Sequence, residues 1–378
     1  MTRRPVVAIV QPFVPTYRVG LFNAIDEQLQ THGLTLEVWH DQPKGIVAAR
    51  GNASSGPWSV PVRQRRLSVK RRNVTYRHLH RPARNVQALV HGLASSNVET
   101  YLLARDPQVN LMLWGHGRNF TAKRNGVDDR LERFLCRNAS HLFAYTEAGA
   151  RHLVAAGHTA DKVTVVRNST DTSLLKRHRD GCSAQDVEDL RQRHGLSGKH
   201  VGLFVGAFDG PKDLPFLCAA ADLIHARDPK FILLMAGAGP LAQMVHEFAL
   251  ARDYVRLLGR VEAPDLGRLS NVVDLMLMPG RVGLVAVDSL ALGIPLVTTN
   301  HDFHAPEVEY LSPKTSLFLP RDVASFADGV HRLLTDTDER TRLSAASLSA
   351  SESLSAESAG ARFVAGILRG LDGQPSRR

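Results

Sequence analysis

The chain lacks several things that would give it a simple reading. Only three cysteines occur in 378 residues: Cys136, Cys182 and Cys218, an odd and widely spaced set with no CxxC. Neither a disulfide framework nor a zinc site is indicated, and reduced thiols and a cytosolic chain are expected. No uninterrupted apolar run is long enough to span a bilayer. The best candidate, residues 274–300, is broken by Arg281, Asp288, two prolines and three glycines, and a span needs an unbroken hydrogen-bonded helix. A secretion signal is equally absent: the apolar run 6–10 is short, and Gln11, Pro12 and Pro15 interrupt the residues after it. Acid is missing altogether from residues 62–84, VRQRRLSVKRRNVTYRHLHRPAR, in a chain of net charge +10. Such a block suits a nucleic-acid arm, an anionic membrane contact or a solvated face. Tyr76 is its only aromatic residue, so the stacking platforms expected of a single-strand binder are wanting and no nucleic-acid partner is expected.

What is present is a repeated alternation. The length exceeds what one core usually supports, so two domains are expected. In the first half, strands at 6–10, 34–39, 58–69, 111–114, 141–145 and 163–166 alternate with helices at 19–30, 131–137 and 146–156. Residues 174–199 are polar and charged, with one short helix, and read as a linker. The alternation resumes with strands at 201–205, 231–236, 255–258, 275–278 and 295–299 and helices at 214–227, 241–252, 265–270 and up to Leu292. Alternation of this kind predicts parallel sheets wrapped by helices on both faces. The expected division is an N-terminal domain 1–175, a linker 176–198, a C-terminal domain 199–362 and a tail 363–378. A polar-faced helix is expected over 344–361. In such an architecture the site lies in the cleft between the two sheet edges.

Three glycine-bearing corners fall at strand ends of the second half. Gly206-Ala207-Phe208-Asp209-Gly210-Pro211-Lys212 combines backbone access with the Lys212 charge, which suits a diphosphate. Gly237-Ala238-Gly239-Pro240 is a GxG that by itself marks only a strand-to-helix turn. Gly280-Arg281-Val282-Gly283 runs into a helix whose N-terminal amides attract phosphate. In that order within one domain, the three corners point to a phosphate-bearing ligand. Asp288, the single acid inside the third segment, is either a surface residue of the helix or part of the site.

The sequence GAFDGPK, then GAGP, then GRV at 259–261, then PGRVGLVAVDSLALGIPLV resembles the donor-binding half of GT-B glycosyltransferases. It is most similar to the large retaining group numbered family 4. The resemblance covers most of 200–335 and extends more loosely to YRVGLFNAI, LWGHG, Tyr145-Thr146-Glu147 and VTVVRNSTDT. It implies an α/β fold of two Rossmann-like doubly wound domains facing each other across a cleft, and transfer of a sugar from a nucleotide-sugar donor to a glycan or lipid-linked acceptor in polysaccharide or glycoconjugate biosynthesis. The resemblance places the pyrophosphate at Val282, Gly283, Leu284 and Val285, with Lys212, Gly206 and Gly237 nearby. It places the nucleobase at the Val261 backbone and the ribose at Asp288, and makes His116 and Asp288 the catalytic candidates. His116 also reads as a polar loop histidine. Tyr17 and Arg18 face either the acceptor or solvent.

Two positions depart from the family pattern. The first Glu of its E-x7-E falls on Gly280 and its Arg on Ala207, so Arg281 is the remaining cation to reach the phosphates or a donor carboxylate. No Asp-x-Asp lies near the donor corners, so neither metal nor cofactor is expected. The basic block 62–84 then suits an anionic membrane surface, giving a peripheral protein on the inner face of the plasma membrane. Two rival readings are a nucleotide-sugar-binding protein without transferase activity and an epimerase-like enzyme.

Overall fold

The computed structural model describes residues 4–43, 53–69, 72–116 and 126–372. Lys70 and Arg71 of the basic block, Gly117 after His116, and the tail 373–378 lie outside these. The chain divides into two compact units, residues 1–170 with 356–378, and residues 171–355.

The first unit contains β1 (Val6–Gln11), β2 (Thr35–His40), β3 (Ser59–Pro61), β4 (Gln64–Val69), β5 (Arg72–Arg77), β6 (Ala88–Gly92), β7 (Leu111–Gly115), β8 (His141–Ala144) and β9 (Val163–Val165). Seven of them form a sheet of order β3-β2-β1-β6-β7-β8-β9, parallel at every pair. β4 and β5 pair with each other as an antiparallel hairpin, and Thr75 adds an isolated parallel bridge to Asn97. Alternation along β1 supplies both faces of the sheet: Val7 and Ile9 join a core with Phe22 and Ile25, while Ala8 and Val10 join one with Leu89 and Leu153. Strands covered on both faces read as continuous apolar runs, which is why Leu111–Gly115 has the sequence LMLWG.

The second unit contains β10 (His200–Val205), β11 (Phe231–Ala236), β12 (Val255–Gly259), β13 (Leu275–Met278), β14 (Leu296–Thr299) and β15 (Ser316–Leu319), in the order β12-β11-β10-β13-β14-β15 and again all parallel. Chain order reverses direction between β1 and β6 in the first unit, and between β10 and β13 in the second. Those switch points open a crevice beyond the carboxyl ends of the strands, where doubly wound sheets take ligands.

Four expectations are corrected. The single strand over 58–69 is two strands, β3 in the sheet and β4 in the hairpin. The expected linker is two helices, Thr172–Asp180 and Ala184–His194, belonging to the second unit. Asp171 caps the first by accepting from the Leu174 amide at 2.9 Å, and Ser183 with Asp186 forms a capping box on the other. Their charged faces hid Leu175, which is buried in the second core. The expected tail is a helix, Ala356–Asp372, that returns to the first unit. Phe363 is fully buried there and stacks on Phe143 at 4.3 Å. Glycine at 360, 366 and 370 weakens the helical signal in the sequence, yet lets this helix approach Ala24, Phe143 and Met112 closely. The helix expected over 344–361 is divided by extended Ser355 between Thr337–Ser351 and Ala356–Asp372.

Candidate functional site

At the switch point of the second unit, the loop after β10 meets the loop after β13. Lys212 ends a short 3-10 turn, Gly210–Lys212, and its Nζ donates to the carbonyl of Arg281 at 2.7 Å. The Arg281 amide in turn donates to the Pro211 carbonyl at 2.8 Å. Burial lowers the pKa of the Lys212 ammonium from its usual 10.5; Arg281 adds to this, while Asp209 and Glu307 oppose it. An ammonium has three donors, so two remain after the Arg281 contact.

The contact between the two loops explains Gly280. A Cβ there would stand 2.7 Å from the Pro211 carbonyl oxygen and closer still to the Lys212 carbonyl. The side chain that the family pattern carries at this position is excluded by backbone. From Gly283 the chain turns into the helix Val285–Leu292, with Asp288 in its first turn and half-buried. Among the described residues, no acceptor meets the amides of Gly283, Leu284 and Val285, which are the unpaired donors of a helix start.

Other expected donor residues are otherwise engaged. The Val282 amide donates to His304 Nδ1 at 3.1 Å and its carbonyl accepts from Ala305 at 2.9 Å, so Val282 is not open to a phosphate. Gly237 is pressed against the Gly206 carbonyl, with a built Cβ only 2.7 Å from the Phe208 ring. Its missing side chain serves the packing of Phe208, the plain-turn reading of the GxG. Gly206 leaves room for the Lys212 stem, 3.4 Å from a built Cβ. Val261 lies half-buried just past β12, beside the Gly237 turn through the bond from the Gly237 amide to the Gly259 carbonyl at 2.7 Å. Arg281 Nε donates to the Phe303 carbonyl at 2.7 Å, fastening the loop after β14 to this corner.

Sequence reasoning missed His304, which completes that fastening. Its Nε2 faces the Thr299 carbonyl at 2.9 Å while Nδ1 accepts from Val282. Only the neutral ring protonated at Nε2 satisfies both bonds, and burial lowers its pKa, with His301, Lys212 and Arg281 in the same direction.

The first unit carries a cavity of about 670 Å³ at its own switch point, beyond the carboxyl ends of β1, β6, β7 and β8. Arg18 and His116, two of the expected residues, both line it; Tyr17 does not, although its ring lies 5.7 Å from the Arg18 guanidinium. Arg18 donates to Gln11 Oε1 at 2.5 Å and to the Tyr145 hydroxyl at 2.8 Å, and its guanidinium lies 4.5 Å from the Trp114 ring centre. The His116 ring packs on Tyr145 at 4.7 Å. The hairpin forms one wall. Gln64, Arg66, Thr75 and Arg77 share one of its faces by the pairings Arg66↔Thr75 and Gln64↔Arg77, and all four line the cavity. Arg77 is buried and bonded to Glu99 at 2.6 Å, which also holds His91 at 3.1 Å. Part of the basic block therefore faces inward. The residues missed here, Gln11, Trp114 and Tyr145, stand at or next to strand ends, and that position is the signal that would have found them.

Burial pushes the Cys136 and Cys218 thiols up to about 12, so neither supplies a thiolate nucleophile. Among the described residues, no group of three or more His, Cys, Asp or Glu side chains could hold a metal ion. No described helix is long and apolar enough to cross a membrane.

Residues 199–336 match the family described as Glycosyl transferases group 1, so the second unit carries a domain of that kind. A curated relative, the alpha-D-kanosaminyltransferase of Streptomyces kanamyceticus, is 31% identical over 164 residues, 41% of this chain and 42% of its own length. The chain thus matches less than half the length of this relative, and 45% of a second, spore coat protein SA of Bacillus subtilis. Among solved structures, Anabaena HepE in complex with UDP has a TM-score of 0.64 at 16% identity, over 96% of this chain and 99% of that one. Sucrose-phosphate synthase from Thermosynechococcus elongatus has a TM-score of 0.70 at 16% identity, over 98% and 100%. A putative UDP-N-acetylglucosamine 2-epimerase from Listeria monocytogenes has a TM-score of 0.64 at 12% identity, over 99% and 98%. These likenesses establish the fold, two Rossmann-like α/β units of the GT-B type.

Proposed function

We propose that the chain is a glycosyltransferase that moves a sugar from a nucleoside diphosphate sugar to a glycan or lipid-linked acceptor, with retention at the anomeric carbon. The observation that carries this reading is the Lys212 ammonium held on the Arg281 carbonyl beside the unaccepted amides of Gly283, Leu284 and Val285. Negative charge grows on the leaving diphosphate, and preorganised donors at that point lower the barrier more than they favour the ground state. Asp288 is the proposed ribose contact, and the backbone at Val261 the nucleobase contact. The departing phosphate oxygen is the proposed base for the acceptor hydroxyl on the same face, and His116 the proposed contact to the transferred sugar. Amides and Lys212 do the work that a divalent ion does elsewhere, so turnover is expected to survive chelation; complete loss on chelator would refute that part.

Surface polysaccharide or glycoconjugate synthesis at the inner face of the plasma membrane fits such an acceptor. The hairpin supports a peripheral contact, since Arg65 and Leu67 are exposed, Leu67 to 58%.

A thermal-shift panel of UDP, GDP, ADP and TDP sugars, with UDP-kanosamine included, tests the reading, because a ligand that binds only the native state raises its melting point. Release of the nucleoside diphosphate in the presence of acceptor then tests transfer. The second reading, a nucleotide-sugar-binding protein without transfer, rests on the missing side chain at Gly280. Tight binding with no release under any acceptor would favour it, an altered sugar with no acceptor would favour an epimerase, and no shift with any nucleotide would end the proposal.

A further inference from the structure

The cavity of the first unit has a one-sided chemistry. Among the described residues that line it, none is an Asp or Glu, while three are arginines: Arg18, Arg66 and Arg77. Glu99, behind the wall, balances one positive charge through its bond to Arg77. Among the described residues no carboxylate pairs with Arg18; its bonds go to the neutral groups Gln11 and Tyr145. The unsatisfied buried groups of the lining residues are also of one kind. Arg18 Nε, Arg77 Nε and Trp114 Nε1 are each buried without a hydrogen-bond partner among the described residues. All three are donors, and a guanidinium or indole nitrogen of this sort can never accept. Unmet buried donors beside an uncompensated guanidinium are costly unless a ligand supplies acceptors and charge.

We infer that this cavity binds the acceptor through a phosphate group that the acceptor itself carries, held by Arg18 and Arg66. Phosphate offers several acceptor oxygens to planar guanidinium forks, whereas a neutral sugar would leave Arg18 without a counter-charge. Calling the ligand the acceptor rests on the transferase reading; binding of the phosphate does not. The same chemistry is found in a lipid headgroup and in a free phosphate ester.

All three tryptophans, Trp39, Trp58 and Trp114, lie in the first unit, and only Trp114 lines the cavity. The test is a tryptophan-fluorescence titration of the full chain, saturated with UDP so that the second unit is occupied, at ionic strength fixed with sodium chloride. One arm uses glycerol 3-phosphate against glycerol. The other uses phosphatidylcholine vesicles with and without phosphatidylinositol. A saturable response to the phosphate ester, absent with glycerol and absent in the Trp114→Phe variant, supports the inference with a soluble ligand. A response confined to phosphatidylinositol vesicles supports it with a lipid-borne one. Arg18→Gln should abolish the response and Arg18→Lys restore part of it. Since Arg18 is an internal residue, exposed Arg66→Gln serves as the variant least able to disturb folding, with an expected loss of affinity of about tenfold. No response from either arm at millimolar probe, or an equal response in Arg66→Gln and Arg18→Gln proteins of native circular dichroism, would overturn it. UDP binding measured in the same samples separates the two proposals: UDP bound without phosphate sinks only this one, and phosphate bound without any nucleotide sinks only the transferase.

Discussion

The two sheet edges share a topology and present opposite kinds of chemistry. Beyond β1 and β7, a ligand of the first unit would meet side chains: Arg18, Arg66, Arg77, Trp114 and His116. Beyond β10 and β13, a ligand of the second unit would meet backbone, the amides at Gly283 to Val285, with Lys212 as the principal side chain. Backbone recognition requires close approach and therefore glycine, and glycine spacing is visible in a sequence. Side-chain recognition is assembled from single residues at the ends of strands far apart in the chain, and leaves no compact motif.

The difference should be broken most severely by forcing a side chain onto the backbone edge. Gly280→Glu reinstates the carboxylate of the family pattern, but its Cβ alone would collide with the Pro211 and Lys212 backbone. The expected outcome is total loss of nucleotide binding by calorimetry, with the second unit destabilised by roughly 3 kcal/mol or more, as overpacking against backbone demands. Gly280→Ala should share most of the defect. A Gly280→Glu protein that binds UDP better than the parent would show that the loops part easily, and the account of Gly280 would fail.

The side-chain edge should break by losing support from behind. Phe363 lies edge-on to Trp114 at 5.0 Å and face-on to Phe143 at 4.3 Å. Phe363→Ala is expected to cost about 3–5 kcal/mol. Because all the tryptophans lie in the first unit, their fluorescence in a denaturant series should report the loss, while UDP affinity in the second unit stays unchanged. Equal destabilisation of both units would contradict the assignment of the C-terminal helix to the first.

That assignment marks where the sequence stopped being legible. Strands such as Phe231–Ala236 and Leu275–Met278 were readable because burial on both faces leaves an unbroken apolar run. The helix Ala356–Asp372 was not, because its contact face uses glycines that count against a helix in isolation. At the corner between β10 and β13, Lys212 and the Gly283 turn were legible as motif, whereas His304 was not. Its role arises from a return loop that brings it to the Val282 amide from 22 residues away. In the first unit, Arg18 and His116 were legible as strand-end polar residues. The inward face of the hairpin was not, since a period-two face inside an arginine-rich run looks like uniform charge.

The first unit should also lose stability in acid. His141 is buried in the first unit, and burial lowers its pKa to about 4, with Arg369 and Lys162 in the same direction and Asp161 opposed. The Thr164 hydroxyl receives a bond from Arg369 at 2.7 Å and pairs with His141 Nε2, also at 2.7 Å, so a guanidinium stands just beyond the imidazole's side-chain hydrogen-bond partner. The unfolded chain then binds a proton that the folded one refuses, so stability rises with pH across that window. The contribution is complete above about 6.5 and is lost as pH falls toward about 4, with a total of about 3 kcal/mol. Tryptophan-monitored denaturation at several pH values should show this slope, and His141→Asn should flatten it. An unchanged slope in the variant would assign the acid sensitivity elsewhere.

The smallest expected effect sharpens the contrast, because it removes the principal side chain from the backbone edge. Lys212→Met keeps the stem beside Gly206 and discards the charge. A charge-assisted hydrogen bond contributes about 1.5–3 kcal/mol, so UDP affinity should fall roughly 10- to 100-fold and not vanish, the helix amides still being in place. The pH dependence carries the sharper test. Burial already lowers the Lys212 pKa from 10.5, and a bound diphosphate must raise it again by favouring the charged form. Binding therefore takes up a proton once pH approaches the lowered value, and affinity should decline on the alkaline side below pH 10.5. In Lys212→Met that decline should disappear while the weaker, amide-based affinity stays level. If the parent and the variant lose affinity in parallel as pH rises, the ammonium does not meet the diphosphate. The second edge would then be backbone alone.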